Sequence, residues 1–260
     1  MLSEKAKEVF GKLVTDKNMP YPAVAIRFHV VRPKNVPQYE GEKMAFCQFL
    51  SEAQKGKHFY ISKENDACYG KVAMGMEPKP PVTAFGQAGE DFEMFRTNSS
   101  NRKIYQELPV IEPGTVNYVE YAPVSECDFN PDLIFCVANQ EAADVLLHAT
   151  SYTTGDFWES KSTPVLSCAW MYAYPVISGK VNYVTTGFYH GLRRRKIYPA
   201  GLTMISIPYN KIDAVVTALD EMPWTAIAFR EDEESKKELK RRMDHWQEMA
   251  AELNSHVDLR

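Results

Sequence analysis

Apolar positions recur at helical spacing from the start of the chain. Ser3 stands where a cap belongs, Ala6, Val9, Phe10, Leu13 and Val14 follow on one face, and the stretch from Asn18 to Pro22 ends the predicted helix. The period then changes. Ala23 to Val31 is β-branched and partly alternating, which predicts a strand, and Pro33 with the polar run to Glu42 predicts a loop. A helix is expected over Lys43 to Gln54, closed by Gly56, then a short strand over His58 to Ile61. Ser62 to Asp66 supplies turn or cap residues before a helix that carries Cys68 toward Gly75.

A similar order appears further along. Pro131 to Val137 reads as a buried strand, Gln140 to Tyr152 as a helix ending near Gly155, and Val165 to Tyr174 as a helix-like stretch carrying Cys168. Strand, helix, short connector and cysteine helix thus recur, which points to an internal duplication with the two thiols on equivalent elements. Lys180 to Gly187 and Leu202 to Ile207 predict strands. Asn210 to Glu221 predicts an amphipathic helix with Ile212, Val215, Val216 and Leu219 on one side.

Between these halves, Glu77 to Pro81 is stiffened by proline, Asn98 to Asn101 marks a loop or helix start, and Asn117 to Pro123 favours a strand. Glu231 to Asn254 is dense in charge, with Asp232 to Lys236 and Glu238 to Arg242 at favourable spacing. Its stripe of Leu239, Met243, Trp246, Ala250 and Leu253 would dock on the body or on a second subunit. The expected fold is therefore α/β or α+β: two structurally related halves, 1-76 and 125-229, sharing a core. An inter-half segment, 77-124, joins them, and a C-terminal amphipathic helix occupies 230-260.

Composition narrows the function classes. A net charge of -4 with 25% charged residues gives no general attraction to phosphate backbones, so nucleic acid is not an expected partner. The amino terminus mixes acid and base, and no apolar run reaches the roughly 18 residues needed to span a bilayer. A soluble, cytoplasmic protein that does not engage membranes is expected. Five cysteines (Cys47, Cys68, Cys127, Cys136 and Cys168), without CxxC spacing, predict reduced thiols rather than a disulfide framework.

Several short motifs in order carry a family resemblance: Tyr21-Pro22-Ala23-Val24-Ala25-Ile26, Phe46-Cys47-Gln48 with Ala53 and Gly56, Ala67-Cys68-Tyr69-Gly70, and Met74-Gly75-Met76. Pro131-Asp132-Leu133-Ile134, Cys168-Ala169 and the stretch from Gly187 to Arg194 complete the set. Over roughly residues 5 to 222 the chain resembles the DUF169 family, uncharacterised proteins of archaea and anaerobic bacteria with no settled activity. The resemblance implies no catalytic role for any residue. It directs attention to Cys47, Cys68 and Cys168, and leaves the helix after Phe229 outside the family pattern.

Three readings of the chemistry stand open, and none assigns a reaction. The first is binding of a small anionic ligand or cofactor at the junction of the halves, with Cys68, Cys168, His190, Arg193 and Arg194 as contacts. The glycine-punctuated run from Gly187 to Lys196 lets backbone approach closely, while arginine donates paired hydrogen bonds to carboxylate or phosphate. The second is a thiol-dependent redox or metal protein in which Cys47, Cys68 and Cys168 hold an iron-sulfur cluster or zinc. His58, His148 and His190 are candidate proton carriers, whereas His245 and His256 lie in the charged tail. The third is a scaffold that forms a homodimer through residues 231-254.

Overall fold

The structure is a computed structural model describing residues 1–87 and 93–256 of the chain, with the side chain of His256 excepted. It divides into two compact units, Met1–Asp220 and Glu221–Arg260. In the first unit, Ser3 Oγ accepts the Ala6 N–H and starts helix α1 (Glu4–Asp16), which buries Ala6, Val9, Phe10 and Leu13. Then come strand β1 (Val24–His29), helix α2 (Phe46–Gln54) and strand β2 (Phe59–Ser62). Short helices α3 (Gly70–Ala73) and α4 (Pro81–Ala84) and helix α5 (Asn98–Gln106) lead to strand β3 (Tyr118–Pro123).

Strand β4 (Leu133–Ala138), buried at every position, opens the remainder. Helix α6 (Gln140–Ser151) follows, capped by Asn139, whose side chain accepts the Ala142 N–H. A π-helical turn over Ala169–Ala173 runs into helix α7 (Tyr174–Ser178), then strand β5 (Asn182–Thr185), helix α8 (His190–Arg195), strand β6 (Thr203–Pro208) and helix α9 (Tyr209–Glu221).

The six strands form one sheet in the order β2-β3-β1-β4-β6-β5, and every neighbouring pair is antiparallel. Each triplet places its last strand in the middle: β3 lies between β2 and β1, β6 between β4 and β5. The triplets meet through β1 and β4. The segment 77-124, expected to join the halves, therefore supplies the central strand of the first triplet. Its polar Asn117 is followed by the alternating YVEYAP that fits a sheet interior.

Strand alternation separates two faces. Val24, Ile26, Tyr121, Phe135, Val137 and Met204 point to one face, where they share a core with residues of α2, α3 and the π turn. Ala25, Ile134, Cys136, Ile205 and Ile207 are also fully buried but point the other way. Both cysteine-bearing segments thus sit on the first face.

Local geometry differs from expectation around the thiols. Cys68 is not inside a helix but in the turn before a single helical turn: Asp66 accepts its N–H, and Gly75 at φ +70 ends α3 after four residues. Cys168 adjoins a π-helical turn, a form that needs tertiary support and often marks functional positions. In the second unit, helix α10 (Glu233–His256) includes the expected Glu238 to Arg242 ion pair, while Lys236 pairs with Glu233 instead of Asp232. Asp232 is otherwise engaged, accepting the Ser235 N–H. Among the described residues no helix is long and apolar enough to cross a membrane.

Candidate functional site

Three elements from distant parts of the sequence meet at Phe46. A Cβ added to Gly70 would lie 2.1 Å from Cδ2 of the Phe46 ring, so glycine permits α3 to seat directly on α2. From the other side, the Tyr172 hydroxyl in the π turn donates to the Phe46 carbonyl at 3.2 Å. The backbone tightens the junction. Met44 N–H donates to the Asn65 carbonyl at 2.9 Å, and Ala67 N–H to the Met44 carbonyl at 3.0 Å, which stitches the Cys68 turn to the residues before α2.

Asp66 shapes that turn. Its buried carboxylate accepts the N–H of Cys68 at 3.1 Å and of Lys71 at 2.9 Å. Burial raises its pKa, and the hydrogen bonds from Lys71 and Cys68 oppose the rise. On the Cys168 side, Leu166 takes φ +63, an uncommon conformation for a branched residue, and its carbonyl accepts the Ala169 N–H at 3.0 Å. Helix α8 is tied to the same approach: His190 N–H donates to the Pro164 carbonyl at 2.9 Å, and the hydroxyls of Ser162 and Tyr189 lie 2.6 Å apart.

Cys47, Cys68 and Cys168 therefore share one neighbourhood in which only Cys68 is exposed. Burial pushes the Cys47 thiol up to about 12, opposed by the Arg195 charge and reinforced by Cys68. Burial also raises Cys168 well above the usual thiol range, with Cys68, Asp66 and Cys47 adding to it in that order. Both buried thiols are protonated at neutral pH. Tyr69 and Tyr105, with ring centroids 5.9 Å apart, flank the exposed thiol side, and burial raises both phenols. A cavity of about 10 Å³, bounded by Cys47, Ser167, Tyr172 and Leu192 among others, has the volume of about one water.

The other predicted residues divide between this junction and elsewhere. Arg193 and Arg194 are exposed on α8, and the neighbouring Arg195 is the cation whose charge reaches Cys47. His190 is half-buried at the start of the same helix. His148 lies on α6 against the Tyr152 ring, and His245 is exposed on α10. His58 is on the opposite face of the sheet, bonded to Glu120. The three sulfurs do not come within 4.8 Å of one another as a set among the described residues, so no compact tetrahedral zinc site is preformed by them. A cleft of about 410 Å³ beside Phe157 and Trp158 contains no cysteine or histidine, and its rim carries the Lys180–Glu159 and Lys211–Asp156 ion pairs.

The sequence places Asp66 among turn or cap residues and Arg195 in the basic run without singling out either, and it does not announce the pairing of Glu120 with histidine. A lone acid among the apolar residues of YVEYAP is the one local signal for Glu120. Asp66 looks in sequence like any turn residue.

A family model described as DUF169, uncharacterised ArCR, matches residues 12–218, which include all three junction cysteines and stop short of α10. An uncharacterised protein of Methanocaldococcus jannaschii is 24% identical over 231 residues, covering 86% of this chain and 97% of its own length. No solved structure matches.

Proposed function

The chain belongs to the DUF169 family of uncharacterised proteins, and from that premise we propose that it binds a small anionic ligand or cofactor where α2, the Cys68 turn and the π turn converge. The observation that carries the reading is the gathering of three thiols from separate parts of the sequence, with only Cys68 open to solvent. Protonated Cys47 and Cys168 serve as soft, weakly donating walls and not as nucleophiles. Arg195, with Arg193 and Arg194 on the same helix, supplies the positive charge for an anionic group, and His190 starts that helix.

The same reading includes an internal duplication. The two triplets have matching strand order, and the helix immediately before each outer strand bears a cysteine at its start: Cys47 before β2, Cys168 before β5. The sequence order makes Cys68 and Cys168 the equivalent thiols; on the strand alignment we propose instead that Cys47 matches Cys168 and that Cys68 is the additional thiol at the rim.

Native mass spectrometry with elemental analysis of the full chain, purified without oxygen, tests the proposal. A retained small molecule is expected, with occupancy reduced at least tenfold in Cys68→Ser and Arg195→Gln. A bare mass, or occupancy unchanged in both variants, contradicts it. Iron and sulfide in stoichiometric amount would replace it with the cluster reading.

A further inference from the structure

On the face of the sheet away from the junction cysteines, β3 presents Glu120, 4% exposed, in a strand whose flanking residues Val119 and Tyr121 are fully buried. Burying a carboxylate costs several kcal/mol unless it is paired. Both of its oxygens are engaged: Oε2 lies 2.7 Å from His29 Nε2, and Oε1 lies 2.7 Å from His58 Nε2. The register explains the reach. Arg27 and Tyr60 stand directly opposite Glu120, so His29 and His58 approach along the diagonals of the antiparallel pairs.

Asp128 completes the cluster. It follows the 3-10 turn Val124–Glu126, is exposed, and brings a carboxylate oxygen to the same place. One donor atom each from His58, Glu120 and Asp128 lies within 4.8 Å of the others. Burial alone would raise the Glu120 pKa, but its hydrogen bonds to His58 and His29 bring it below the usual carboxylate range, so it presents an ionised oxygen beside that of Asp128. The arrangement has a buried carboxylate at its floor and a half-exposed histidine and an exposed aspartate at its mouth. The Phe129 ring, its centroid 5.9 Å from that of His58, limits rotation of the imidazole.

We propose that His58, Glu120 and Asp128 form a binding site for a divalent first-row transition cation, with His29 as a positioning residue on Oε2 of Glu120. One imidazole nitrogen and two carboxylate oxygens are the donors that zinc, iron(II) or manganese take, and ligand-to-metal distances of about 2.0–2.2 Å fit within the spread of the donor atoms. Three protein ligands leave positions for water, which makes the site open rather than closed. His29 holds the carboxylate as outer partners of metal ligands do, and their loss weakens binding by about 10–100-fold.

The test titrates the full chain, stripped with a chelator, with Co²⁺ followed by absorption, and then displaces the cobalt with Zn²⁺. A single equivalent is expected, with d–d bands and without thiolate-to-cobalt charge transfer. Asp128→Asn, at an exposed position that leaves the fold intact by thermal melting, is expected to weaken uptake at least tenfold. His58→Asn should abolish it, and His29→Gln should weaken it about tenfold. Absence of stoichiometric uptake, thiolate bands in the bound form, or undiminished affinity in both Asp128→Asn and His58→Asn would overturn the proposal. The first of these outcomes would mark the cluster as a structural ion pair. The readout does not involve the thiol junction, so either site can fail alone.

Discussion

Replacing Gly70 with alanine is expected to destabilise the chain by about 3 kcal/mol, at the upper end for overpacking a core, and to lower Tm by roughly 6–12 °C. The new Cβ would sit 2.1 Å from the Phe46 ring, which cannot retreat: Phe46 is 1% exposed and packs edge-on against both Phe49 and Tyr172. Strain at this point separates α3 from α2 and so pulls the Cys68 turn from Cys47. Combining Gly70→Ala with Phe46→Leu should recover part of the loss, because the branched aliphatic side chain vacates the space of the ring edge. A Gly70→Ala protein that melts with wild type, measured by calorimetry, would mean that the two elements do not meet here.

Removing the Asp66 carboxylate has the second large effect. Asp66→Ala leaves the N–H groups of Cys68 and Lys71 without their acceptor, for an expected cost of about 2–3 kcal/mol. The Cys68 turn loses its internal tie, and protection of Cys47 against alkylation should fall with it. Asp66→Asn keeps one acceptor and adds a pH signature. Burial raises the Asp66 pKa, so in the folded state the carboxyl holds its proton longer than in the unfolded chain. A raised acid contributes stability that is complete below its unfolded value, about 3.9, and is lost as pH rises through the folded value. The stability of wild type relative to Asp66→Asn should therefore decline as pH increases above about 4. Denaturant melts of both proteins across that range check the sign, and a relative stability that grows with pH would refute the burial argument.

Elements with strong periodicity were legible in the sequence. The apolar faces of α1 and α9 and the apolar runs of β1 and β4 appear close to where hydrophobic spacing places them, because each buries its pattern within a few residues of itself. Features fixed by distant partners were not. Cys68 reads as helical from its neighbours, yet Asp66 captures its N–H and Gly70 is held against Phe46, so the helix begins only after it. The π turn depends on Ser206 Oγ donating to the Met171 carbonyl and Tyr172 donating to Phe46, bonds that no local pattern announces.

The candidate sites divide in the same way. Family resemblance drew attention to Cys47, Cys68 and Cys168, and the structure brings their elements together. The basic run shows which residues carry charge but not that the Arg195 charge reaches Cys47. His29, His58 and Glu120 belong to three strands or strand edges, and only the pairing register reveals that they touch.

Photo-cross-linking from the exposed thiol tests the convergence most directly. A benzophenone maleimide attached to Cys68 of the native full-length chain, irradiated and then digested, should yield cross-linked peptides from the start of α2 around Cys47 and from the segment 165–174. Cross-links confined to other parts of the chain would contradict the assembly of the three thiols at one face.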